Sequence, residues 1–211
     1  MKTFLIEELN DLDKRYRTNL INCLSGVKSL NLIGTKNNHG QSNLAIFNSV
    51  VHIGAHPPLM GFIHRPTSVE RHTFENINET SFFTINSVTA AIHKQAHQTG
   101  ARYEKSESEF DEVSLTEEYF DGFEAPFVQE SPLKIGLELA DIIPIPLNNT
   151  KLIIGRIKML TLDEKHLRND GFLSLSDQGI VGGTGLDSYL STQEIGRYSY
   201  AKPDSPLDDI K

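Results

Sequence analysis

Apolar residues recur along the chain with two periods, one helical and one of two residues, and the switches between them mark out its elements. Over residues 11–24, Leu12, Tyr16, Leu20, Ile21 and Leu24 fall at helical spacing with charged positions between them. Gly26 stands where such a helix stops. The period changes at Val27. Leu30, Leu32, Ile33 and Thr35 predict a strand, Lys36-Asn37-Asn38-His39-Gly40 a turn, and residues 43–53 the returning strand. Pro57-Pro58 cannot donate ladder hydrogen bonds, so the pair closes that strand or sits at an edge, and residues 59–63 read as a third short strand. Pro66-Thr67-Ser68 reads as a helix start capped by Ser68 or Thr67, the helix running through Arg71 and Phe74 to Ile77. Residues 81–88 predict a strand, and residues 89–98 a helix that stops near Gly100.

Further on, the acidic stretch 104–121 reads as a surface loop with one helical turn. Leu133, Ile135, Leu137 and Leu139 alternate with Lys134, Gly136, Glu138 and Ala140, the pattern of a half-buried strand. Asn148-Asn149 turns the chain, and residues 151–160 return to complete a long hairpin. Strands outnumber helices and the turns are short. The expectation is one mainly β domain over residues 1–211, an antiparallel barrel with a few peripheral helices and no linker. Its core spans about residues 25–165, followed by a C-terminal extension over about 166–211.

Composition narrows the function. The 211 residues are 38% hydrophobic, enough for a core, and carry a formal charge of −8. A general nucleic-acid binder needs a basic surface to release counterions, so none is expected. With one cysteine, Cys23, there is no internal disulfide and no multi-cysteine metal site. The first residues hold too short an apolar run for a signal peptide, and no window approaches a membrane span, so a cytoplasmic, membrane-free protein is expected.

Several chemical signatures are missing. Gly179, Gly182, Gly183 and Gly185 lack the Lys-Ser/Thr of a P-loop and the spacing of a dinucleotide fingerprint, and they read as a mobile loop. There is no G-x-S-x-G elbow. His93 and His97 stand four apart on an expected helix, but no Glu follows His93 and no Cys completes a site, so no metal is expected. The segment from Ile63 to Thr73 is richer. It sets Arg65 and Arg71 with Thr67, Ser68 and Thr73 around the start of a helix, an arrangement that can hold phosphate. The same residues also suit an ordinary capped surface helix with solvated arginines. Asn43, Asn48 and Ser49 place polar groups in an expected core strand, where they need partners that a ligand could supply.

The order of these pieces resembles the flavin reductase-like family of FMN-binding split barrels. The resemblance runs through Thr35, Gly40 and Asn43-Leu44-Ala45, then Pro57-Pro58, Arg71-His72-Thr73 with Asn76-Ile77, and Phe83-Thr84-Ile85-Asn86. It continues in Ala96-His97-Gln98-Thr99-Gly100, Ser108-Glu109-Phe110, Asp170-Gly171-Phe172 and Tyr198-Ser199-Tyr200-Ala201-Lys202-Pro203, the last two similar to the flavoredoxin-like branch. It implies an antiparallel Greek-key split β-barrel that works as a homodimer with one FMN per subunit. It further implies that Asn43, Ala45, Phe47, Asn48 and Ser49 contact the isoalloxazine and ribityl chain. Arg71 and Thr73, with Arg65 nearby, would clamp the phosphate, and His97 would lie on the substrate side. His72 stands where the family has an acidic residue, Asn48 where it commonly has Ser, and Ile46 where it has Pro. No side chain is expected to act as general acid or base, because the flavin carries the hydride chemistry. The implied activity is NAD(P)H-dependent flavin reduction, with electrons passing on to a small molecule or a protein acceptor. The alternatives are a flavoredoxin-like FMN electron carrier and a non-enzymatic ligand-binding β-barrel.

Overall fold

The computed structural model describes residues 1–66 and 71–210. In chain order the helices and strands are α1 (Ile6–Asp11), α2 (Lys14–Cys23), β1 (Lys28–Ser29), β2 (Asn31–Lys36), β3 (Ser42–Phe47), β4 (Val50–Ala55) and β5 (Pro58–His64). After them come α3 (His72–Thr80), β6 (Phe82–Ser87), α4 (His93–Gln98), α5 (Glu109–Val113), β7 (Glu117–Glu118) and β8 (Phe127–Val128). The chain continues through β9 (Leu133–Ile145) and β10 (Thr150–Leu162) to β11 (Val181–Thr184) and β12 (Ser188–Ser191). None of the described helices is long and apolar enough to cross a membrane.

The large sheet is antiparallel, with strand order β3-β2-β6-β9-β10-β5-β4. Successive side chains on a strand point to opposite faces, and on β2 both faces are covered. Leu32 joins a cluster with Leu44, Val88, Ile92 and Phe110, while Ile33 joins Phe62, Phe83, Ile85 and Leu137. A small sheet, β1-β11-β12, ties the C-terminal segment back to the start of the fold.

The mainly β, antiparallel expectation and the β9–β10 hairpin are what the chain forms. Pro144 lies where β9 has outrun β6, whose pairing stops at Glu138, so one side of the strand has no neighbour there, the edge setting that tolerates proline.

Other expectations need correction. The return strand over 43–53 breaks at Asn48 and Ser49 into β3 and β4. The helix expected to run through Arg71 starts only at His72, because Arg71 has extended backbone (φ −141°) and serves as its N-cap without a side-chain cap bond. The proposed caps Thr67 and Ser68 lie outside the described residues.

The stretch 104–121 is not simply a surface loop. Glu109, Phe110, Val113 and Leu115 are buried, and β7 pairs with β8. This segment and residues 123–127 after it explain why the alternation over 133–139 does not leave one face wet. Lys134 is buried in an ion pair with Glu118, and Gly136 lies under Phe123 and Phe127, whose rings would come within 2.9 Å and 3.1 Å of an added Cβ. The glycine-rich tail is a strand rather than a mobile loop. A Cβ at Gly182 would fall 2.5 Å from Val27 Cγ1 and one at Gly183 3.0 Å from Leu30, so glycine there lets β11 pack against β1 and the residues beside it. Finally, α2 forms as expected but has no buried residue, and Tyr16, Ile21 and Leu24 are exposed.

Candidate functional site

An open cleft of about 930 Å³ lies where β3, the end of β5, the start of α3, the loop after α4 and the β11–β12 turn meet. Asn43, Ala45, Phe47, Asn48 and Ser49 line it from β3 and the break after it. Arg65, Arg71 and Thr73 line it from the segment leading into α3, and His97 from α4. All nine residues singled out in the sequence thus reach one cavity, although they span 55 positions of chain.

Hydrogen bonds hold the β3 wall in place. Asn43 Nδ2 donates to Thr73 Oγ1 at 3.0 Å, both residues buried, and this couples β3 to the first turn of α3. Asn48 Nδ2 donates to the Gly185 carbonyl at 3.0 Å, and Ser49 Oγ donates to the Ile63 carbonyl at 3.0 Å. These bonds explain the break between β3 and β4, where two side chains fasten the corner to the small sheet and to β5. Asn43, Asn48 and Ser49, whose partners a ligand could have supplied, thus find them within the protein. Glu109, buried at the start of α5, accepts the Leu44 N–H at 2.9 Å, and burial pushes its carboxyl pKa up.

The electrostatics are concentrated at one corner. Burial, together with the charges of Arg65 and Arg102, lowers the pKa of Arg71, so three guanidinium groups share a small region. Among the described residues no carboxylate pairs with any of them, and Arg71 Nε is buried without a hydrogen-bond partner. The corner also takes the first turn of α3, whose free N–H groups and dipole favour an anion. An unpaired cationic fork beside a helix N-terminus and the Thr73 hydroxyl suits a phosphate ester.

Several lining residues were not singled out in the sequence. Arg102 follows His97 by five positions, close enough to have been considered with it, but nothing in the local pattern marks it. His64 immediately precedes Arg65, just past the strand expected over 59–63, and shows no ligand spacing with the other histidines. Gly183 and Gly185, which the sequence reads as part of a mobile loop, line the cleft with Thr184 and Tyr189, all 81 or more positions beyond Arg102. Tyr189 hydrogen-bonds His97 Nδ1 through its hydroxyl at 2.9 Å, and burial, then Asp187, raises its pKa. His93 packs on the same tyrosine ring at 5.3 Å and its Nδ1 bonds the Ala90 carbonyl. Among the described residues no group of three His, Cys, Asp or Glu side chains is placed to hold a metal.

The antiparallel β fold thus carries an open, locally cationic cleft that suits an anionic ligand. Residues 27–178 match the model of the flavin reductase like domain, so the chain belongs to that family. It is similar, at 46% identity and TM-score 0.92, to a split-barrel protein from Shewanella frigidimarina NCIMB 400 that bears a provisional flavin reductase name. That likeness covers 95% of this chain and 100% of the other. In fold alone it resembles nitrilotriacetate monooxygenase component B from Bacillus cereus, with TM-score 0.80, 19% identity, and 92% and 96% of the two chains covered. It also resembles flavoredoxin of Desulfovibrio vulgaris (Miyazaki F), with TM-score 0.68, 24% identity, and 85% and 92% covered. No curated protein sequence matches. The fold is therefore the expected split barrel, and the family implies a flavin ligand.

Proposed function

We propose that this protein is an FMN-binding oxidoreductase that takes hydride from NAD(P)H and passes electrons to a small-molecule or protein acceptor. The observation that carries this reading is the Arg71 guanidinium, its Nε buried and without a partner at the corner shared with Arg65 and Arg102. It is a docking point for the terminal phosphate that distinguishes FMN from riboflavin. Thr73 would hold the same group, with Asn43 fixing the threonine from behind. Ala45, Phe47, Asn48 and Ser49 would line the ribityl chain and ring, and His97 would face the second substrate, braced by Tyr189. When bound, the flavin supplies the hydride-accepting chemistry, and the protein contributes position and electrostatics. The cleft is wide enough for a flavin with space left beside it, in the usual range for ligand sites.

We further infer a homodimer in the cytoplasm. The support for association is apolar surface that the described residues leave exposed: Tyr16 and Ile21 on α2 and Leu24 at its C-cap, with Val51 and Ile53 on β4. Sedimentation of the purified protein should report twice the 23.6 kDa chain mass, and a monomer at micromolar concentration refutes it.

Purification tests the main reading. A yellow protein with flavin absorption that bleaches anaerobically with NADH or NADPH supports it. A yellow protein that neither nucleotide bleaches, yet that exchanges electrons with a redox partner, is an FMN carrier instead. A colourless protein that takes up no FMN on titration refutes both.

A further inference from the structure

Among the described residues, two polar atoms in the wall of this cleft are buried and without a partner, Arg71 Nε and His64 Nδ1. Folded proteins leave few such atoms unpaired, and each asks for a group that is not part of the chain. Asn43, Asn48 and Ser49, the polar side chains of the β3 wall for which a ligand was one possible partner, have protein partners. The unmet demand is therefore local to these two residues.

His64 ends β5 and is 2% exposed. Its ring stacks on Phe74 of α3, with centroids 4.9 Å apart and planes at 28°, which fixes its orientation. Among the described residues, the charged groups that act on it are cationic. Arg71 faces it from the start of α3, and Lys151 from the paired position on β10, where the ammonium also lies 4.9 Å from the Phe74 ring centroid. Arg65 follows it in the chain, and a hydrogen bond with the Arg65 backbone acts in the opposite sense. Burial first, then Arg71 and Lys151, lower the imidazole to about 4, so it is neutral at physiological pH. A neutral imidazole adds a hydrogen-bonding atom to a corner rich in arginine without adding a fourth positive charge.

We propose that His64 is a ligand-binding residue, its Nδ1 and Arg71 Nε hydrogen-bonding one and the same phosphate ester in the cleft. The chemistry of the group follows from the pair. Arg71 can only donate, whereas Nδ1 of a neutral ring donates or accepts according to its tautomer. A phosphate monoester with a second pKa of about 6 presents both P–O⁻ and P–OH near neutrality and satisfies either form. The proposal rests on the reading that the cleft takes a flavin mononucleotide, and adds the residue that recognises its phosphate.

The test compares FMN with riboflavin, which differ only in that phosphate, by fluorescence titration of wild type, His64→Leu and His64→Asn. His64→Leu should weaken FMN binding about three- to tenfold, the size of one net hydrogen bond, and leave riboflavin unchanged. His64→Asn places an amide nitrogen near the position of Nδ1 and should restore most of the loss. Equal weakening of both flavins would mark His64 as merely structural, and no weakening would also overturn the assignment. An Asn variant as poor as Leu counts against it too. If wild type binds neither flavin, the proposed function fails by itself, and the assignment is read with inorganic phosphate. A saturable shift of the His64 imidazole in nitrogen-15 NMR then supports it, and no shift overturns it.

Discussion

Replacing Arg71 with alanine separates binding from folding at a single position. Among the described residues the guanidinium has neither a hydrogen bond nor an ion pair, and Arg65 and Arg102 lie close enough to lower its pKa. Removing it breaks no hydrogen bond or ion pair among the described residues and relieves repulsion, so the stability change should stay within about 0.5 kcal/mol, as for an ordinary surface substitution. FMN binding should respond very differently. Loss of a charge-assisted hydrogen bond costs about 1.5–3 kcal/mol, which raises Kd by about 10- to 150-fold. Arg71→Lys should fall between, because it keeps the charge and loses the planar fork. Quenching of flavin fluorescence gives the constants, and thermal melts of the flavin-free protein give the stability. The gap between wild type and Arg71→Ala should narrow as salt is raised, since part of it is screened attraction. An unchanged FMN constant, or a parallel loss of riboflavin binding, would refute the assignment of this arginine to the phosphate.

Three further outcomes follow from the geometry. Asn43→Ala removes the bond to Thr73 in a buried setting and should cost about 1–3 kcal/mol in urea unfolding; a loss below 0.5 kcal/mol would mean the coupling of β3 to α3 is carried elsewhere. Gly155→Ala should destabilise by about 1–3 kcal/mol through overpacking, since its Cβ would fall 2.5 Å from the Phe83 ring; a stable variant would show that this ring can move aside. Stability should rise with pH between about 4 and 6.5, because there the unfolded His64 holds a proton that the folded one does not. That slope should flatten in His64→Asn, and a variant with an unchanged pH–stability profile would show that other groups cause it.

The β elements were legible because they alternate or carry β-branched runs between turn residues, as in β2, β9 and β10. The limits of the site residues were legible for a different reason. Asn43, Arg71 and Thr73 stand near turns and a helix start, where polar residues have local geometric roles that a reader can reason from. What was hidden depended on distant chain. Nothing near Lys134 or Gly136 signals that Glu118, Phe123 and Phe127 will cover them, so a doubly buried strand looked half wet. The glycines of β11 looked mobile because the side chains that need their bareness, Val27 and Leu30, lie some 150 residues earlier. His64 and Arg102 escaped notice because charge crowding and an unpaired ring nitrogen exist only after folding.

The family match ends at Gln178, yet Gly183, Thr184, Gly185 and Tyr189 form part of the cleft wall. That wall belongs to the small sheet and meets the arginine corner across the cavity without sharing a strand with it. One binding site is thus assembled from two sheets, only one of which lies wholly within the matched domain. Drift in the tail can reshape what lies opposite the arginines, through Tyr189 and its hold on His97, while the anion corner stays as it is. Grafting residues 179–195 from a relative would transplant that half alone, leaving FMN-over-riboflavin preference with the recipient and carrying the choice of second substrate with the donor.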